Sequence, residues 1–157
     1  MLGLQKELSG PVGEENLYAL HPRGRILLVP QTEEGLHRQL AAVLATGNTA
    51  VVDAGSGLGA ALSGLPATLG ERVSWTTDWG QDGPFCGALV EGDEAQVTAV
   101  NRKLAALTGP LVLVQAATTQ ELLRDPQAYG LNWLLEEVSI SINTAAAGGN
   151  ASLMAIG

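Results

Sequence analysis

An α/β fold is predicted here, with a Rossmann-like, mostly parallel sheet, helices on both faces and an extended C-terminal tail. Three features of the sequence predict it. Short apolar runs such as Arg25 to Val29 (R-I-L-L-V) and Thr49 to Asp53 (T-A-V-V-D) have the pattern of strands buried on both faces. They alternate with segments of helical period that start at capping residues and stop at glycine, and such alternation gives parallel strands joined by helices. Aromatic residues are few, three Trp, two Tyr and one Phe, so the core is built mainly from Leu, Val, Ile and Ala.

Residues up to about Asn16 hold Gly3, Gly10, Pro11 and Gly13 among polar side chains and read as an extended lead-in from an upstream domain rather than a regular element. Arg25 to Val29, between Gly24 and Pro30, is the first strand. Thr32 caps a helix whose first turn carries Glu33 and Glu34; Leu36, Leu40, Val43 and Leu44 then recur at helical spacing until Gly47. Thr49 to Asp53 is a second strand, followed by a short helix from Ser56 to Leu65 that Pro66 stops. Val73 to Thr76 is a third strand, Asp78 to Pro84 a loop, and Cys86 to Val90 a fourth strand. Asp93 caps a helix carrying Val97, Val100 and Leu104 on one face, ended by Gly109-Pro110. Leu111 to Gln115 follows as a strand and Leu131 to Glu136 as a helical piece. Val138 to Ile142 is expected to complete the sheet begun at Arg25.

A chain of 157 residues suits one domain. Charged residues are 15%, against ~25% in ordinary soluble domains, which suggests surface covered by a larger assembly. The net charge of −8 opposes binding to phosphate backbones, so nucleic acid is not an expected partner. The single cysteine, Cys86, forms no intrachain bridge, and no signal peptide is visible at Met1 to Gly10, which fits a cytoplasmic setting. The last twenty residues, from Val138, carry no charged side chain, no proline and no aromatic ring; they read either as a segment that docks on a surface or as an ordinary last strand with a frayed end. Asn143, Asn150 and Gly148-Gly149 interrupt the stretch, so it is no membrane span.

Gly55-Ser56-Gly57-Leu58-Gly59-Ala60 fits G-x-G-x-x-[G/A] after an apolar strand, making Gly55, Gly57 and Ala60 weak candidates for dinucleotide contact. Against this, the glycines follow the second strand, Asp53 puts negative charge beside the seat of a phosphate, and Gly64 interrupts the helix. A surface turn is the simpler reading. Cys86 reads as a small buried hydrophobe. His21 and His37 have no Cys or carboxylate at metal-ligand spacing, so no metal site is expected. Glu14-Glu15, Glu33-Glu34 and Glu136-Glu137 are adjacent pairs that diverge on a helix, so none is an acid/base dyad. Arg23 and Arg25, on the turn before the first strand, have the chemistry to grip a carboxylate or phosphate. No catalytic residue is assigned.

Gly10-Pro11-Val12-Gly13-Glu14-Glu15-Asn16-Leu17, Leu20-His21-Pro22-Arg23-Gly24-Arg25-Ile26-Leu27 and Ser141 to Gly157 resemble the C-terminal region of the long proline utilization A (PutA) family. The resemblance covers nearly the whole chain. It implies a parent that oxidises proline to glutamate with an FAD-dependent proline dehydrogenase and an NAD-dependent glutamate-semialdehyde dehydrogenase, both cofactors lying outside this segment. It implies for this segment a non-catalytic domain that resembles the nucleotide-binding fold of aldehyde dehydrogenases and covers the substrate-channelling tunnel. Residues 1–20 would then be a lead-in from further chain upstream, 21–142 the Rossmann-like domain, and 143–157 a docking motif. That motif falls on Asn143, Thr144, Ala145, Ala146, Ala147, Gly148, Gly149, Asn150, Ala151, Ser152, Leu153, Met154, Ala155, Ile156 and Gly157. Its implied partner is the aldehyde dehydrogenase domain of the same polypeptide, in cis or across a homo-oligomer, with the parent cytoplasmic or peripheral at the inner membrane. Val12, Glu15, Val138 and Ala155 depart from the family's usual residues, and arginine is usual at two of these positions. The isolated tail is expected to be disordered or covered by a neighbouring copy. The alternatives are a small nucleotide-binding domain using Gly55 to Ala60, and a self-association module built on an exposed strand near Ser139 to Asn143.

Overall fold

The computed structural model describes residues 5–10 and 14–143, and the chain divides into two compact units, Pro22–Leu135 and one drawn from Met1–His21 and Glu136–Gly157. Within the larger unit, five strands form a parallel sheet: β3 (Arg25–Val29), β4 (Thr49–Asp53), β5 (Val73–Thr76), β6 (Gly87–Glu91) and β7 (Val114–Ala117). Their spatial order is β5-β4-β3-β6-β7. The predicted fold class is therefore observed, and the order reverses direction between β3 and β6.

The side chains of β3 explain the layering. Successive residues on a strand point to opposite faces. Ile26 and Leu28 join Val52 and Leu89 on one face, under α1 (Glu33–Ala45) and α5 (Thr119–Arg124). Leu27 and Val29 join Val51, Ala88 and Val90 on the other, with Val100 and Leu104 of α4 (Glu94–Ala105). Both faces are covered, which is why these strands read as unbroken apolar runs. The Thr32 hydroxyl caps α1 by accepting from Gly35 N–H at 2.9 Å. Its other end closes as expected at Gly47, which takes φ +76°, with Gly47 N–H donating to Leu44 and Asn48 N–H to Val43.

Several expectations are corrected. The lead-in holds two strands, β1 (Gln5–Leu8) and β2 (Glu14–Pro22), paired antiparallel. The last strand, β8 (Leu135–Asn143), does not extend the sheet begun at Arg25; it lies beside β2 in a separate three-stranded sheet of order β1-β2-β8. Its period-two patterning carries no information about which sheet or edge a strand joins. The helix expected from Ser56 to Leu65 is replaced by 3-10 turns at Ala54–Ser56 and Gly59–Leu62, with α2 (Ala67–Gly70) after Pro66. Three glycines in this stretch disfavour a regular helix. The loop at Asp78 to Pro84 contains one turn, α3 (Trp79–Asp82), capped by Asp78. The strand placed at Leu111 begins at Val114, and the piece at Leu131 to Glu136 is a 3-10 turn, Leu131–Leu134. Helix α5 was missed although Thr118 and Glu121 form a capping box there.

In the smaller unit, Tyr18 on β2 is held above its usual 10.0 by desolvation, and then by its hydrogen bond to Glu137 of β8 and that residue's charge. Ile140 and Ile142 of β8 are exposed. Of the docking motif expected at Asn143 to Gly157, Asn143 ends β8 and the rest lies outside the described residues.

Candidate functional site

In parallel α/β sheets, ligands bind outside the carboxyl ends of the strands where the order reverses, with a phosphate at the first helix N-terminus. That point here is the gap between the ends of β3 and β6. A cleft of about 550 Å³ opens beside it, lined by Gln31, Gly92, Asp93, Gln96, Thr118 and Thr119 among others. The cleft thus lies where parallel α/β sheets of this strand order bind their ligands.

Its polar groups are engaged internally. Glu91, the last residue of β6 and fully buried, sets its carboxylate on the N-terminus of α1. Oε2 accepts from the N–H groups of Gln31 (2.7 Å) and Thr32 (2.9 Å), and Oε1 from the hydroxyls of Thr32 (2.8 Å) and Thr119 (2.7 Å). Helix α4 is closed by a capping box, Asp93 accepting from Gln96 N–H at 2.9 Å while the Gln96 side chain accepts from Asp93 N–H at 2.9 Å. Helix α5 repeats the device with Thr118 and Glu121. The Thr118 N–H and then its hydroxyl hold the Glu121 carboxyl below its usual 4.5. Three helix N-termini meet at the crevice, and each is capped by the chain's own side chains.

Asp53, at the end of β4, stands about 20 residues beyond the first strand-to-helix turn, where a dinucleotide fold places a ribose-binding carboxylate. Its Oδ1 instead accepts from the Trp79 indole N–H at 3.0 Å. Gly55 and Ala60 lie in the 3-10 turns after β4 and Gly57 caps the first of them, one strand away from the reversal. The N–H groups of Gly57 and Ala61 bond to Ala54 and Leu58 carbonyls, and Gly57 takes φ +71°, so this glycine serves the turn. No α-helix begins there.

Beneath the crevice, Tyr129 is buried, donating to the Val90 carbonyl (3.1 Å) and accepting from Gln39 Nε2 (3.0 Å). Burial first, and the nearby Glu91 charge in addition, push its phenol well above the usual 10.0. The folded state therefore keeps a proton that the unfolded state releases above pH 10, so the fold loses stability as pH rises past 10. Tyr129→Phe is expected to flatten that alkaline loss in urea titrations run at successive pH values.

Cys86 is a free, half-buried thiol just before β6, and the His21 and His37 side chains are exposed. No group of three or more His, Cys, Asp or Glu among the described residues is placed to hold a metal. Among the described residues the ion pair is Arg38–Glu34 (2.7 Å); Arg25 sits 6.0 Å from the Phe85 ring centroid. No described helix is long and apolar enough to cross a membrane.

Over 156 residues, 99% of its length, the chain is 69% identical to the bifunctional protein PutA of Rhizobium meliloti and 37% identical to that of Escherichia coli K12. This chain is homologous to a segment of PutA. It spans only 13% and 11% of those two relatives. Among solved structures, PutA with proline bound in remote sites superposes with a TM-score of 0.54 at 24% identity, over 75% of this chain and 14% of that one. Staphylococcus aureus AldH gives 0.54 at 15%, and an NAD-dependent benzaldehyde dehydrogenase of Corynebacterium glutamicum 0.51 at 19%, each over 73% of this chain and 28% of the other. These likenesses show that about three quarters of this chain shares its fold with part of the aldehyde dehydrogenases. No protein-family model matches the chain.

Proposed function

We propose that this PutA segment is a non-catalytic domain of a bifunctional enzyme oxidising proline to glutamate, where it serves as a structural lid over the channelling tunnel and supports the aldehyde dehydrogenase module. The observation that carries the reading is the crevice at β3 and β6: a dinucleotide fold in which the phosphate seat holds Glu91 and the strand-end carboxylate of Asp53 holds an indole. A domain kept in that state contributes shape rather than chemistry. FAD and NAD would act in the parent's other domains, and the docking motif Asn143 to Gly157 would rest on the aldehyde dehydrogenase domain, in cis or across a homo-oligomer. A lid there would retain the reactive semialdehyde and exclude water without supplying a reacting group.

The deciding experiment compares the parent with and without this segment in coupled proline-to-glutamate turnover. Removal is expected to introduce a lag in NADH formation; an unchanged aldehyde dehydrogenase rate with no lag would sink the proposal. The exposed Ile140 and Ile142 on β8 favour self-association as a second reading. Sizing the segment with and without residues 143–157 separates an intramolecular dock from a dimer.

A further inference from the structure

We infer that Glu91 is a built-in oxyanion, which occupies from within the chain a phosphate seat at the N-terminus of α1, and that this seat takes inorganic phosphate when the carboxylate is removed. Four donors converge on the two Glu91 oxygens at 2.7 to 2.9 Å, two of them backbone N–H groups of Gln31 and Thr32 at the helix start. Peptide N–H groups only donate, and at a helix N-terminus they carry a partial positive charge that favours an anion. The seat is cut to fit: a Cβ at Gly35 would collide with Glu91 Oε2, so glycine in the first turn of α1 makes room for the carboxylate. Glu91 arrives from β6, so the chain has sent an acid across the strand-order reversal to reach groups that a bound phosphate uses in a dinucleotide fold.

The seat also borders open space. Gln31 and Thr119, two of the residues that bond Glu91, line the 550 Å³ cleft, which gives an ion from solvent a path to the N–H groups once the side chain is shortened. The inference shares its crevice with the lid proposal but is independent of tunnel function, so a failed phosphate titration and a failed flux assay are distinguishable results.

The test measures the melting temperature of the 157-residue chain against inorganic phosphate at fixed ionic strength, with chloride as balance. Glu91→Ala is expected to melt lower than the native chain and to recover in a saturable way, by about 3 °C when phosphate reaches about ten times its Kd. The native chain and Glu91→Gln, whose seats stay filled, are expected to show no such response. Adding Gly35→Ala to Glu91→Ala refills the space with a methyl group; it should abolish the phosphate response and raise stability, whereas Gly35→Ala alone should lower it. Equal phosphate responses in the native chain and Glu91→Ala would overturn the inference, as would a folded Glu91→Ala indifferent to phosphate. A urea midpoint of Glu91→Ala raised by phosphate over chloride no more than that of the native chain would overturn it too.

Discussion

Replacing Asn48 with Ala is expected to destabilise the larger unit by about 3 kcal/mol, because it strips three partners of a buried hydrogen bond each. Asn48 is fully buried just past the end of α1. Its Oδ1 accepts from Gly24 N–H at 2.7 Å, and its Nδ2 donates to Thr46 Oγ1 and to the Leu134 carbonyl, both at 2.8 Å. One amide thus ties the turn before β3, the end of α1 and the 3-10 turn at Leu131–Leu134, three segments that no strand pairing joins. With an m-value of about 2 kcal/mol/M in urea, the midpoint should fall by about 1.5 M. Asn48→Asp sharpens the test. It keeps the acceptor for Gly24 but turns an oxygen towards the Leu134 carbonyl, and it should cost at least as much as alanine. A loss below about 0.5 kcal/mol for either variant would mean that water satisfies these groups.

The position of Asn48 also explains what was legible in the sequence. The apolar runs at Arg25 to Val29 and Thr49 to Asp53 announced a buried parallel sheet, because a strand covered on both faces cannot disguise its composition. Caps announced α1 and α4 for a similar reason: Thr32, Gly47 and Asp93 are chosen by local geometry and act within a few residues. What escaped was long-range. Strand β8 carries an alternating pattern that fits any half-covered sheet, and its place beside β2 depends on a segment more than a hundred residues earlier in the chain. The site escaped differently. The glycine pattern at Gly55 to Ala60 drew the eye because it matches a motif, whereas the residue filling the crevice, Glu91, looks in the sequence like an ordinary polar end to an apolar strand. A buried acid at the end of a central strand, followed by Gly92 and a capping Asp93, was the available signal. Reading it required the strand order, which the sequence does not print. Arg25 is instructive in the same sense: it rests near Phe85 rather than on a carboxylate, and chemistry alone does not choose between those partners.

The largest loss is expected for Trp79→Ala, about 4 kcal/mol, the usual cost of emptying a buried aromatic site. Trp79 is 3% exposed and packs with Leu27, Phe85 and Leu104 on the second face of the sheet. The indole makes two further contacts that can be separated by substitution. Its N–H donates to Asp53 Oδ1 at 3.0 Å, and Lys103 Nζ stands 3.6 Å from the ring centroid. Trp79→Phe keeps most of the volume and the ring face, so its cost of about 1–2 kcal/mol reports mainly the indole bond and the group it leaves unpaired. Lys103→Met keeps the stem and removes the cation, at about 0.5–1 kcal/mol. Fluorescence gives an independent check. Trp75 and Trp133 are 39% and 56% exposed, so replacing Trp79 removes the one well-buried emitter among the three tryptophans, and the remaining spectrum should shift to the red. The functional weight lies in Asp53. Losing the indole frees a strand-end carboxylate at the height where a dinucleotide fold would hold a ribose. If the internal contacts are what keep this crevice inert, Trp79→Phe alone should still bind no NADH in a fluorescence titration, because Glu91 continues to fill the phosphate seat. Saturable NADH binding by that single variant would mean that Asp53, and not Glu91, is the group that closes the site.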